Sequence, residues 1–154
     1  CLNAALKSLE NKSNNLKNIE KIFDPSIPKV FFDKKKLIMC FENILINSIE
    51  NNKNANIKIF TKIDHGMYIR SDDLQKVLKL PILIKIKDFG SGVDEKIEQF
   101  MFYPFVSNKS QSDGLGLTFT NITVSLYGGY LKYEKEKDGT AFNIYLPINK
   151  IGVS

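Results

Sequence analysis

Residues Leu83 to Lys87 alternate at the period of a β-strand and are apolar enough for the centre of a sheet. They run straight into Asp88-Phe89-Gly90-Ser91-Gly92, a loop signal that no strand continues through. A central strand implies neighbouring strands and something to cover their faces, and the rest of the chain predicts both. Asn18 to Phe23, Ile57 to Ile63, Tyr130 to Glu134 and Ala141 to Leu146 read as strands, the last two forming a hairpin across Lys137-Asp138-Gly139. Asp33 is a good N-cap for a helix from Lys34 to about Asn51, with Ile38, Phe41, Leu45, Ser48 and Ile49 on one face. A second long helix spans Leu115 to Tyr127 and stops at Gly128-Gly129.

The connecting segments are less regular. Leu2 to Leu9 has helical spacing, Asn11 to Asn18 is polar and turn-rich, and Asp24-Pro25-Ser26-Ile27-Pro28 breaks the first strand. His65 to Lys79 reads as an irregular excursion with a short helix around Asp73 to Leu78. Glu95 to Phe102 predicts a short helix, and Val106 to Asp113 a polar loop. No internal repeat is present. The mixed order, with strands that read as partly antiparallel, gives an α+β class with helices on one face of a sheet.

At 154 residues the chain has room for one domain with a sizeable core and not for two. Hydrophobic residues make up 43% and charged residues 25%, and no apolar run approaches the roughly 20 residues that span a bilayer, so a soluble globular domain is expected. The net charge of +5 raises the question of nucleic acid. The lysines are scattered, with Lys34-Lys35-Lys36 as the one run, and they seldom alternate with aromatics, so a solvated basic surface is expected and no nucleic-acid partner. Cys1 and Cys40 give neither a disulfide framework nor metal-ligand spacing, which fits a reducing, cytoplasmic setting. The start Cys1-Leu2-Asn3-Ala4 lacks an initiator Met and a basic leader, and reads as a piece of a longer protein.

Four features carry chemistry. Asn43 and Asn47 lie one helical turn apart, about 40° from each other, so both amides project from one face. An amide oxygen is a neutral hard ligand suited to Mg²⁺, although asparagines on a wet helix face are ordinary. Asp88-x-Gly90-x-Gly92 puts a carboxylate at a strand end, able to accept a hydrogen bond from an exocyclic amine; a plain Asp-Gly turn is the competing reading. Phe102-x-Pro104-Phe105-x-x-x-Lys109 combines aromatics that anchor a loop end, or simply fill core, with a mobile cation. Gly114-Leu115-Gly116-Leu117 enters a helix from a polar loop, and free N–H groups there suit a polyphosphate. No Gly-Lys-Ser/Thr follows, so it is not a P-loop; no strand precedes, so it is not a Rossmann fingerprint.

In this order and spacing the features resemble the histidine-kinase branch of the GHKL ATPase superfamily, shared with gyrase and MutL, from about Leu2 to Pro147. FENILINSIE resembles the N box, DFGSG the first glycine box, FMFYPFVSNK the F box, SDGLGL the second glycine box, and GGYLKYEKEKDGTAFNIYLP the closing hairpin. The short lid with Ser-Asn-Lys looks closest to the nitrogen-regulation type of sensor kinase. The resemblance implies a Bergerat-type two-layer sandwich with a mixed, mostly antiparallel sheet. Residues 1–10 would end a linker or open the first helix after a dimerisation domain, and residues 11–154 would form one ATP-binding catalytic domain.

By similarity, Asn47 coordinates Mg²⁺ on the phosphates of ATP, with Asn43 beside them. Asp88 binds the adenine amine, supported by Thr140. Gly90 and Gly92 shape the purine slot, which Val93 and Ile97 wall. Phe105 belongs to the loop anchor, Lys109 meets the terminal phosphates as the catalytic cation, and Gly114, Leu115, Gly116 and Leu117 hold the phosphates at the helix. Val106 to Asp113 would be the ATP lid. The γ-phosphoryl group would pass to a histidine on the upstream dimerisation domain and then to an aspartate of a cognate response regulator. Hydrolytic cousins place a water-activating Glu one turn before the metal Asn; here Asn43 stands there, and an amide is no base, which favours a kinase. His65, the one histidine, sits in an Asp64-His65-Gly66 turn without the acceptor motif's context, so the acceptor is expected outside this chain. The fragment is expected to be monomeric and its parent a homodimer, soluble or membrane-anchored.

Three departures from the family pattern stand out: Ser112 where a glycine is usual, Glu50 one turn after Asn47, and a long stretch from Ile57 to Leu80 read as a surface insertion. An anti-sigma-type serine kinase and a degenerate nucleotide-binding interaction module are the alternatives.

Overall fold

In a computed structural model of the chain, which describes residues 1–10, 18–51, 56–66, 68–71, 76–79, 81–106 and 114–148, strand alternation sorts two sets of side chains onto two faces of one sheet. Its five strands are β1 (Asn18–Phe23), β2 (Asn56–Ile63), β5 (Ile82–Asp88), β6 (Tyr130–Glu136) and β7 (Gly139–Leu146). The spatial order is β1-β2-β5-β7-β6, with β1 parallel to β2 and every other pair antiparallel. The apolar run at 82–88 thus lies at the centre. Ile59, Ile84, Ile86, Phe142, Ile144 and Leu131 bury one face. The intervening lysines line the other, where Lys58 pairs with Glu20, Lys85 with Glu136, and Lys87 with Glu136 and Asp138.

Three helices cover the apolar face: α1 (Leu2–Glu10), α2 (Lys34–Asn51) and α4 (Gly116–Leu126). The side chain of Asp33 accepts from the N–H of Lys36, the N-cap bond that starts α2. The buried residues of α2 are Leu37, Cys40, Phe41, Ile44, Leu45 and Ser48, whereas Ile38 and Ile49 are only half-buried. The stripe is shifted and broader than expected because α2 packs on α1, α4 and β5 at once. Each fully buried Phe, Leu or Ile contributes about 1.5–3 kcal/mol. Ala5, Leu6 and Leu9 of α1 join this same core. At its far end α4 stops as Gly128 turns to a φ of 74°, and the N–H groups of Gly128 and Gly129 satisfy the carbonyls of Ser125 and Val124.

Two expectations are corrected. The excursion after β2 holds an antiparallel pair, β3 (Tyr68–Ser71) and β4 (Lys76–Lys79), in place of the short helix around Asp73 to Leu78. Tyr-Ile-Arg-Ser and Lys-Val-Leu-Lys can exchange ladder bonds across the excursion, and a single helical turn in isolation cannot offset its nucleation cost. Asp73 itself and the turn-rich residues 11–17 lie outside the described residues. The helix at 95–102 is shorter than expected: α3 covers Glu95–Glu98, capped by Asp94 accepting from Lys96 N–H, and turns follow. Pro104 disfavours a helical Tyr103, so the segment cannot propagate. No helix among the described residues is long and apolar enough to cross a membrane.

Candidate functional site

The register fixes one end of the site. Asp88 closes β5 in the same row as Ile57 on β2 and Thr140 on β7, so its side chain falls on the helix-covered face. It is fully buried, at 0% exposure. One carboxylate oxygen accepts the Gly90 N–H at 3.0 Å and the other accepts the Thr140 hydroxyl at 2.9 Å. Burial pushes the Asp88 carboxyl above its ordinary range, and Gly90, Thr140 and Ser48 pull it part of the way back. Ser48, buried on α2, lies close enough to exert that pull, but its hydroxyl makes no bond of full hydrogen-bond geometry. With only neutral donors on it, the carboxylate keeps lone pairs for a further donor.

Glycine is required beside it for reasons of space. A Cβ on Gly139 would lie 2.0 Å from the Asp88 carbonyl oxygen. A Cβ on Gly92, whose φ is 78°, would lie 2.6 Å from Thr140 Cγ2 and 2.8 Å from Tyr133 Oη. Val93 packs half-buried on the core and donates its N–H to Tyr133 Oη at 3.0 Å. Ile97 is half-buried on α3.

The other end is the start of α4. Its cap residue Leu115 supplies no side-chain bond, so the first-turn N–H groups point outward at the positive end of the helix. Asn43 Nδ2 donates to the Gly116 carbonyl at 3.1 Å and to Thr120 Oγ1 at 3.4 Å, tying α2 to this turn. Asn47 Nδ2 donates to the Asn43 carbonyl at 2.8 Å, which leaves Asn47 Oδ1 with no hydrogen bond among the described residues. A Cβ on Gly116 would press on Asn43 at 3.3 Å. Gly114, at a φ of 67°, sits against Val106, where a Cβ would come within 2.9 Å of the backbone; the two ends of the 106–114 loop therefore meet.

Helix α2 connects the two ends, since Ser48 borders Asp88 and Asn43 binds Gly116. Asn43 and Ser48 are five positions apart, about 7.5 Å along the axis. Leu117 packs half-buried on the core. Phe102 packs there too, but Phe105 is 78% exposed with a φ of 64°, so the reading of Phe105 as core does not hold. Its backbone turns the chain into the loop, which directs the ring outward. Lys109 and Ser112 lie outside the described residues. Glu50 occupies an exposed position near the end of α2, and His65 is exposed in the turn after β2.

Among the described residues no group of three His, Cys, Asp or Glu could hold a metal ion. A cation here would need ligand oxygens from a bound molecule, with Asn47 Oδ1 as the protein's contribution. Mg²⁺, which keeps waters and takes phosphate oxygens, suits that donor set. Cys40 is no nucleophile: burial pushes its thiol up to about 11, with Thr120 and Thr123 countering only in part. Sequence reasoning missed the roles of Tyr133 and Ser48. The signal for Tyr133 was the hairpin register, which sets it opposite Phe142, two residues from Thr140 on the same face.

Residues 32–150 match the family described as histidine kinase-, DNA gyrase B-, and HSP90-like ATPase. The chain is 28% identical over 138 residues to the sensory histidine kinase/phosphatase NtrB of Azospirillum brasilense, covering 88% of this chain and 34% of that protein. It is 32% identical over 127 residues to NtrB of Rhodobacter capsulatus, covering 82% and 36%. The chain thus spans about a third of the length of these relatives. Among solved structures, the mycobacterial sensor histidine kinase MprB superposes with a TM-score of 0.74 at 20% identity, covering 97% of this chain and 93% of that one. The catalytic domain of histidine kinase ThkA gives 0.70 at 22%, covering 97% and 91%. Both share the fold.

Proposed function

Because the chain belongs to the histidine kinase-, DNA gyrase B-, and HSP90-like ATPase family, we propose that it is the ATP-binding catalytic domain of a two-component sensor histidine kinase of the nitrogen-regulation type. It binds Mg-ATP and passes the γ-phosphoryl group to a histidine on a dimerisation domain. That group is relayed to an aspartate of a cognate response regulator, in a cytoplasmic, homodimeric parent. The observation that carries the reading is the buried Asp88 carboxylate, held by neutral donors beside Ser48 of α2, while about one and a half turns back along α2 Asn43 binds a helix N-terminus that has no side-chain cap.

Asp88 accepts the adenine amine, and Thr140 and Gly90 fix the carboxylate's direction. Val93 and Ile97 wall the base beside Gly90 and Gly92. Gly114 to Leu117 bring N–H groups and helix polarity to the phosphates. Asn47 Oδ1 ligates the Mg²⁺, which when bound neutralises phosphate charge. Lys109 is assigned to the terminal phosphates. An imidazole nitrogen attacks the γ-phosphorus in line, the bond to the β,γ-bridging oxygen breaks, and ADP leaves. The chain's part is positioning and charge neutralisation. The Asn43 amide is committed to Gly116 and Thr120 and offers no base to a water, which supports transfer over hydrolysis.

Calorimetric titration with ATP and ADP tests this. Asp88→Ala should abolish binding in a protein that remains folded. Mg²⁺ should tighten ATP binding in wild type but not in Asn47→Ala. Label from γ-labelled ATP should then appear on a supplied histidine-bearing helix pair. Undiminished binding by Asp88→Ala would refute the site, and tight binding without transfer would make the chain an interaction module.

A further inference from the structure

The loop from Phe89 to Asp94 is irregular, so its N–H groups have no strand ladder to join. Among the described residues two bonds hold it: Gly90 N–H to Asp88 at its start and Val93 N–H to Tyr133 Oη at its end, 3.0 Å each. We propose that Tyr133 is a positioning residue for the nucleotide, its hydroxyl holding this loop in the shape that receives the base. The inference rests on the nucleotide reading above.

Tyr133 is itself well fixed. Its ring lies 5.2 Å from that of Phe142, which is fully buried and directly opposite in the hairpin register. The phenolic oxygen therefore stands at a set height above the sheet. The loop is fitted to that height: with a Cβ, Gly92 would meet the same oxygen at 2.8 Å and Thr140 at 2.6 Å. Thr140 holds Asp88, so one glycine is in contact with both the carboxylate's partner and the loop's anchor. Two residues further along β6, Lys135 reaches Glu98 at 2.8 Å and so ties α3 to the same strand. That pair is exposed and screened, and holds the helix only weakly. The bond from Val93 is half-buried and meets less competition from water, and losing its acceptor leaves an amide short of a partner.

The decisive variant is Tyr133→Phe, which keeps the ring on Phe142 and removes one oxygen. ADP, ATP and adenosine should each bind about 3- to 10-fold more weakly. In transfer to a supplied histidine-bearing helix pair, the KM for ATP should rise by the same factor while the saturating rate is unchanged. Amide exchange at Val93 should accelerate, with the melting temperature little altered. Unchanged affinity, a fall in saturating rate at constant KM, or a variant that does not fold would each overturn the proposal. Asp88→Ala run alongside separates the readings. If it abolishes binding while Tyr133→Phe does nothing, only the positioning role fails. If Asp88→Ala binds normally, the base lies elsewhere and both readings fall.

Discussion

At the Asp88 end of the site the carboxylate and its loop are held from within the fold, whereas at the Gly116 end the described residues give the helix start no side-chain cap. Gly90, Thr140 and Tyr133 hold the carboxylate and its loop, and two glycines sit where any side chain would strike backbone or a neighbouring residue. At the start of α4 the cap is bare of side-chain bonds, and Asn47 keeps its amide oxygen unbonded among the described residues. A neutral base offers few handles and needs a shaped, rigid slot. A polyphosphate offers charge, and oriented N–H groups at a helix end suffice. Stability and binding should therefore be coupled at the first end and separable at the second.

The strongest test of that coupling is Gly139→Ala. The added methyl would lie 2.0 Å from the Asp88 carbonyl oxygen at a φ of 151°, so the β5–β7 pairing must open. A loss of about 3 kcal/mol or more in urea unfolding is expected, together with nucleotide binding. A variant as stable as wild type would show that the slot is not closely built. Gly116→Ala should behave differently. The nearest atoms to its methyl are those of the Asn43 side chain, at 3.3 Å, and alanine favours the helix by up to about 1 kcal/mol. Stability should stay within about 1 kcal/mol of wild type, while ADP affinity falls about tenfold as Asn43 is pushed from the turn. Equal losses of stability in the two variants would erase the distinction between the ends.

The smallest effect is one of pH. The carboxyl of Asp88 is raised in the folded protein by burial, so between the unfolded value and the raised one the folded state holds the extra proton. Within that window this group makes the protein less stable as pH rises. Adenine recognition has the opposite sign, because only the carboxylate accepts the amine freely. ADP affinity should begin to fall, as pH is lowered, above the ordinary aspartate value of 3.8. Calorimetry across that range should show the dependence in wild type and not in Asp88→Asn. Asn47→Ala, which changes only the phosphate end, should retain it.

Much of the frame was legible because it is local. Alternation in Ile-Leu-Ile-Lys-Ile-Lys-Asp gives a strand with one apolar face, Asp33 caps the helix that follows it, and Gly128-Gly129 ends another. The break at 88–92 put Asp88 at a strand end from composition alone. The β3–β4 pair is not legible in the sequence because its four-residue strands carry too few periods to separate from a helical turn. Phe105, an aromatic near Phe102, reads equally as core until its φ of 64° is known.

The sequence by itself determined the five strands of the main sheet and the three long helices, that Asp88 and the glycines fall at their ends, and that the two asparagines share one face of α2. These follow from steric periods and capping within a few residues. Only the tertiary structure decided that the nitrogen of Asn43 is committed to Gly116, that Gly139 lies against the Asp88 carbonyl, and that Tyr133 anchors Val93. Those partners are 73, 51 and 40 positions apart. They meet only because five strands pair in one register and α2 packs on that sheet between α1 and α4, outcomes of burial across the whole chain.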